Sequence, residues 1–304
     1  MDNTTRYCFA FNQDSSERIM YNNPLFPVSV RYGVLSSYPD YSAVSHWHED
    51  LEFIVIKKGK MTYNVNGELF TLTKDRGIIV NSRQLHYGFS REHQECEFIC
   101  ILFSPELLRG NTWFYQSLIT YVTENAACPC VLLDRCGWQA AILNKLEELY
   151  ESYEHDPDPA KALPCFDLVE GFLFILKILF QNLDREQARH TRESAELVPL
   201  RAMICYIEAH YASRITLAAI AAAGACCKSK CSLLFRKYLH DTPITYVTRF
   251  RLRKSLVPLL DSDRSITDIA YEHGFGGASY YCETFQKYYG ISPLQYRKTH
   301  GIRP

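Results

Sequence analysis

The spacing of apolar and polar positions changes character near residue 105. Before it, residues 51–56, 61–65, 69–72, 77–80 and 98–103 are short blocks rich in β-branched and aromatic side chains, the pattern of strands. Asn66-Gly67 lies between the second and third blocks and favours a tight hairpin, because both residues tolerate positive φ. No helical period intervenes, so a sandwich or small barrel is expected. After Ser104-Pro105 the period lengthens. Ile142, Leu146, Leu149 and Tyr153 predict an amphipathic helix over 138–153, and a loop follows over 155–160. A second helix over 166–183 is apolar around much of its circumference, with Phe172, Leu173, Phe174, Ile175, Leu176, Ile178, Leu179 and Phe180. Such a helix needs cover on several sides, from the barrel or from a second copy of the chain. Residues 184–196 are polar and charged, the composition of a linker.

Everything beyond the linker reads as helical, and it repeats. Phe235-Arg-Lys-Tyr-Leu-His-Asp-Thr-Pro243 and Phe285-Gln-Lys-Tyr-Tyr-Gly-Ile-Ser-Pro293 align at an offset of 50, with Tyr246 and Tyr296 in the same register. A short helix precedes each Phe, opened by a hydroxyl able to accept from free amides, Thr216 or Ser265. A glycine follows each short helix, Gly224 or Gly274, suited to a left-handed stop. Short helix, turn and longer helix make a helix-turn-helix, whose second helix enters the major groove. Thr242-Pro243 and Ser292-Pro293 add a hydroxyl cap with proline at the first helical position. The first opens a helix to about Leu260 that connects the two units.

Charge supports this division. Residues 196–304 carry 15 Lys/Arg against 8 Asp/Glu, and the first 195 carry 18 against 26. A basic end on an acidic front points to a polyanion. No run approaches the ~20 apolar residues of a membrane span, and the first residues lack a signal-peptide pattern, so a cytoplasmic protein is expected. The 12 cysteines, scattered and without zinc-site spacing, read as reduced thiols.

Ser265-Ile-Thr-Asp-Ile-Ala270, Gly274-Phe275, Ser279-Tyr-Tyr281, Phe285-Gln-Lys287 and Gly290-Ile-Ser-Pro293-Leu-Gln-Tyr296-Arg297 closely resemble the DNA-binding domain of the AraC family of regulators. The resemblance spans about residues 198–297. It implies base-reading positions at Ser229, Ser232 and Leu233 in the first unit, and at Ala278, Ser279, Cys282 and Glu283 in the second. Ser279 is alternatively a helix-start residue that bonds only phosphate or backbone. Lys228, Lys230, Arg236, Lys237 and Lys287 read as phosphate contacts, and Arg251 and Arg253 as solvated. The first unit departs from the family pattern. Cys227 stands where a capping serine is usual, and Cys231 where a core leucine is. A redox switch at such a thiol is the alternative to plain structural cysteines.

In the front half, His46-Trp-His48-Glu-Asp-Leu-Glu52 with Gly59, then Gly77-Ile-Ile-Val-Asn81 leading to His86, resemble the two cupin motifs. His46, His48, Glu52 and His86 are ligand types that zinc, iron or manganese would use. The AraC-type resemblance instead implies a metal-free effector pocket, formed by His46, Trp47, His48, Glu52, His86 and Tyr87, or a purely structural role. No cofactor is assigned on this reading. Trp47 and Tyr87 suit stacking on a sugar, a common effector in the family.

The expected fold class is two-domain α+β, with an N-terminal cupin-like β-barrel carrying packed helices and a C-terminal all-α double helix-turn-helix. Residues 1–105 form the effector-sensing barrel, 106–183 a helical segment that packs on it and dimerises, 184–196 a linker, and 197–304 the DNA-binding domain. The expected function is sequence-specific transcription regulation, most relatives being activators, by a homodimer that engages double-stranded DNA, a small-molecule effector and RNA polymerase. No catalytic residue is assigned. The alternative is a metal-dependent cupin enzyme, an isomerase or dioxygenase, with a DNA-binding tail.

Overall fold

A computed structural model of the chain describes residues 12, 16–23, 26–108, 113, 115–123, 128–155, 162–183 and 196–300. The expected linker therefore falls almost wholly outside the described residues. The chain forms two compact units, Met1–Ser194 and Ala195–Pro304.

The first unit is an antiparallel sheet domain built on strands β1 (Val28–Val34), β2 (Leu51–Val65), β3 (Glu68–Thr73), β4 (Gly77–Val80), β5 (His86–Phe89), β6 (Cys96–Phe103) and β7 (Cys130–Leu133). β2 belongs to two sheets. Its first half pairs with β4 and β6, and its second half with β3 and β5. Residues 51–56 and 61–65, expected as separate strands, are thus one strand bent in the middle. The register shifts between Ile56 and Lys58, and Gly59 follows at φ +75°. A Cβ on Gly59 would lie 2.0 Å from the carbonyl oxygen of Glu95, the residue just before β6, so only glycine lets the strand turn here. The stretch 106–183, expected as a helical segment, also supplies β7, which extends the sheet along β4. Four residues are too short a run to show a period of two.

Side-chain alternation on β2 sets the layers. Leu51, Phe53 and Val55 pack into one cluster with Leu143, Leu146 and Leu149 of helix α1 (Gly137–His155) and with Phe172, Leu176 and Leu179 of helix α2 (Ala162–Asn182). Ile54 and Ile56 point the other way, into a barrel interior shared with Met61, Tyr63, Leu72 and Phe98. Both faces are covered, which is why residues 51–56 are apolar on both faces apart from Glu52. Glu52 lies in register with the interior residues, and it is buried there. Packing on the barrel accounts for one side of α2, while Phe166 and Phe174 on the same helix stay exposed.

The second unit contains α3 (Leu197–His210), α4 (Leu217–Ala223), α5 (Lys228–Leu239), α6 (Pro243–Asp261), α7 (Ile266–Glu272), α8 (Ala278–Tyr289) and α9 (Pro293–His300). Thr216, Thr242 and Ser265 cap their helices by accepting from the amides of Ala219, Thr245 and Asp268. The repeat is structural. Phe235 meets Tyr246 edge-on at 5.6 Å and Phe285 meets Tyr296 edge-on at 5.3 Å, and both Phe side chains are fully buried.

The two turns after the short helices differ. Gly274 is left-handed at φ +75°, as expected, but Gly224 is not, at φ −87°. The left-handed residue there is Ala225, at φ +47°. Gly224 is needed instead for close packing, since a Cβ would lie 2.7 Å from Met203 Cγ and 2.9 Å from the Pro199 carbonyl oxygen. Among the described residues no single helix is long and apolar enough to cross a membrane.

Gly59→Ala is expected to destabilise the first unit by at least about 1–2 kcal/mol, the strain of a left-handed residue with a Cβ, because the neighbouring strand must also shift. Gly276, where a Cβ would meet nothing within 4 Å, is the control, and Gly276→Ala is expected to change stability by less than about 0.5 kcal/mol. Urea denaturation of the two variants checks the contrast.

Candidate effector site and nucleic-acid interface

The first site lies inside the barrel. An isolated bridge pairs His46 with His86, and alternation puts His48 on the same side as His46. The three imidazoles pack together, with ring centroids 4.3 Å (His46–His86), 4.9 Å (His48–His86) and 5.7 Å (His46–His48) apart. Each ring is oriented from behind. Nδ1 of His46, His48 and His86 lies 2.7, 3.0 and 2.8 Å from the carbonyl oxygens of Val44, Asp50 and Gln84. A carbonyl only accepts, so each Nδ1 carries a proton and donates it. The Nε2 atoms face inward: His46 stands 3.2 Å from Glu17 Oε2, and His48 and His86 stand 3.4 and 3.5 Å from Glu52 Oε2. Tyr63 donates its hydroxyl to Glu52 Oε1.

The charges are set by burial and by this contact. Burial drives the His46 pKa well below its ordinary value, and the nearby His86 adds to the effect. Burial also pushes His48 down, but the Glu52 carboxylate more than offsets this and the pKa ends raised. Burial alone would raise Glu52, yet the His86 and His48 imidazoles hold it well below the usual carboxylate range. Glu17, with weaker help, is pushed by burial up to about 7.

A cavity of about 70 Å³ opens beside this cluster, lined by Glu17, Arg31, Tyr38, His46, Glu52 and Tyr63 among others. That is room for a few water molecules. The expected pocket residues are therefore only partly brought together. His46 and Glu52 line the cavity, and His48 and His86 stand against Glu52. Trp47 and Tyr87, expected in the pocket, are not among the lining residues of this cavity. Tyr87 is one residue out of phase with the inward-facing His86 on β5, so the strand turns it to the other side. Tyr87 stacks on Phe89 with centroids 5.4 Å apart, and Trp47 is buried. The sequence reading missed Glu17, Arg31 and Tyr63. Tyr63 was recoverable, since it shares a face with Met61 and Val65, whereas Glu17 belongs to no motif.

The second site is the exposed side of α5 and α8. In α5, Ser229 and Leu233 are exposed and Ser232 is half-buried; in α8, Ser279 and Glu283 are exposed and Ala278 and Cys282 are half-buried. Lys228, Lys230, Arg236 and Lys287 are exposed around them. Lys237 is engaged within its own unit, 2.6 Å from Glu196 Oε2 and 4.9 Å above the Tyr238 ring. Arg251, expected to be solvated, is a brace: its Nε and NH2 groups donate to the carbonyls of Tyr211 and Ser213, both at 2.7 Å. Arg297 does the same for the Leu259 and Arg264 carbonyls, at 2.8 and 2.7 Å. α8 begins after Gly277, and Ser279 makes no cap.

Cys231 and Tyr281 occupy equivalent positions in the two units, and both are fully buried. Tyr281 fills its core and lies 3.0 Å from the Ser255 hydroxyl. Burial raises the Cys231 thiol to about 11, which does not favour a reactive thiolate. Cys227 caps α5 without a side-chain bond.

A ligand-taking barrel joined in one chain to a duplicated helix-turn-helix defines a ligand-responsive DNA-binding regulator. Comparison with known proteins agrees. The AraC-like ligand binding domain matches residues 30–125, and a helix-turn-helix domain matches residues 220–299. The chain belongs to the AraC family of transcription regulators. It is 26% identical over 259 residues to the HTH-type transcriptional regulator YdeC of Bacillus subtilis, covering 84% of this chain and 86% of that one. It is 25% identical over 266 residues to the melibiose operon regulatory protein of Escherichia coli, covering 86% and 85%. The HTH-type transcriptional activator RhaS of Salmonella paratyphi A is 23% identical over 262 residues, covering 86% and 89%.

Cys227→Ser is expected to supply the missing cap and stabilise the second unit by about 0.5–1 kcal/mol. A rise in its thermal unfolding midpoint, with no change in the first unit, is the outcome that checks this.

Proposed function

We propose that the chain works in the cytoplasm as a homodimeric transcription activator. In this reading a small-molecule effector enters the barrel, α5 and α8 read DNA, and the bound dimer engages RNA polymerase. It assigns the chain no catalytic role. The observation that carries it is the duplication, in which two helices present the same register of exposed positions around equivalent buried Phe anchors, Phe235 and Phe285. Ser229 and Ser279 suit either base type, Leu233 a thymine methyl, and Glu283 a cytosine amino group. Activation is supported by the name of the relative RhaS. Dimerisation is supported by Phe166 and Phe174, left exposed on a helix otherwise packed on the barrel.

Selection of random-sequence duplexes by the full-length protein tests the reading. Two enriched blocks about one helical turn, roughly 10 base pairs, apart are expected. Glu283→Ala should relax preference within one block only. Lys228→Ala and Lys287→Ala should weaken binding to all sequences alike and lower the salt slope by about 1 each. Absence of any enriched sequence removes the base-reading assignment.

A further inference from the structure

We infer that the barrel holds a divalent first-row transition-metal ion between the Nε2 atoms of His46, His48 and His86 and the carboxylate of Glu52. The inference rests on the barrel being the ligand-taking part of the regulator and names what it takes.

Four features of the site carry it. One ligand atom from each of the four residues lies within 4.8 Å of the others. With bonds of roughly 2.1 Å, ligand atoms around such an ion stand about 3.0–4.2 Å apart, and Glu52 Oε2 already lies 3.4 and 3.5 Å from the His48 and His86 Nε2 atoms. Next, His48 and His86 are 3% and 1% exposed, and their Nε2 atoms meet only the Glu52 carboxylate, at 3.4 and 3.5 Å, without a well-formed hydrogen bond. An ion would give both nitrogens a full partner at once. Third, all three rings donate Nδ1–H to a backbone carbonyl, the outer contact that fixes a metal-ligating histidine's tautomer and orientation. Tyr63 holds the free side of the Glu52 carboxylate in the same manner. Lastly, the cavity is small, and Trp47 and Tyr87 do not line it. A space of that size suits an ion with a few waters or a small oxygen ligand. Three imidazoles and one carboxylate match zinc, iron, manganese, cobalt or nickel rather than calcium or magnesium.

Glu17 sits at the edge of this set, with Oε2 3.2 Å from His46 Nε2. It must release that nitrogen or join as a further ligand when the ion enters.

The test is titration of full-length protein, stripped with chelator under reducing conditions, with Co2+ followed by calorimetry and visible absorption. One equivalent is expected, with ligand-field bands and no thiolate charge-transfer band. His86→Ala and the near-isosteric Glu52→Gln should each lower affinity by at least about 100-fold, beyond the 10–100-fold cost of losing an outer contact. Circular dichroism confirms that each variant is folded. No uptake by the parent protein, undiminished uptake in both folded variants, or bands from cysteine ligation overturns the inference. DNA affinity of the stripped protein, measured beside it, reports separately on the regulator reading.

Discussion

Strand β2 has to serve two sheets, and it can do so because residue 59 carries no Cβ. The Glu95 carbonyl occupies the space a side chain would need, and the backbone enters the left-handed region as the register shifts. Much else in the first unit follows from that bend. It lets Glu52, before it, and Tyr63, beyond it, approach across the interior and share a hydrogen bond. The same strand turns Leu51, Phe53 and Val55 toward α1 and α2, so the apolar layer and the polar cluster are two faces of one element.

The polar cluster is expensive to bury, and its arrangement shows how the cost is limited. Three histidines, Glu17 and Glu52 share a space almost closed to solvent. Backbone carbonyls hold the outer nitrogens, and Tyr63 and two imidazoles hold one carboxylate. Burial and mutual contact drive neighbouring groups in opposite directions, His46 down and His48 up, so the cluster does not titrate as one. Oppositely shifted groups of this kind cluster at ligand-taking sites and also in structural ion-pair networks.

What could be read in advance was what depends on local spacing. The 50-residue repeat, the Thr216, Thr242 and Ser265 caps and the hairpin at Asn66-Gly67 all use signals carried by a few consecutive residues. Features that depend on distant contacts were missed or misread. Ile56-Lys-Lys-Gly-Lys60 looks like a break because a bent strand exposes the same residues a turn would. Gly224 has the composition of a left-handed stop, but Met203 and Pro199, far back in sequence, decide its role. Arg251 looks like a surface cation until the Tyr211 and Ser213 carbonyls are placed beside it. Tyr87 lies one residue out of phase with His86 on the same strand, so its orientation was legible from alternation alone.

The Tyr211–Ser213 turn has one more consequence. It receives Arg251 from the connecting helix α6, and its backbone lies so close to Gly274 that a Cβ there would sit 2.5 Å from the Tyr211 carbonyl oxygen. Tyr211 also meets Phe250 edge-on at 5.3 Å. The two helix-turn-helix units are therefore pinned to each other at a point belonging to both. When one seats in a groove, the other arrives at a very high effective concentration, with no tether entropy to lose. The corollary is mechanical: a body braced in this way favours one span, and if both helices enter grooves, the ease with which a sequence bends becomes part of what is recognised.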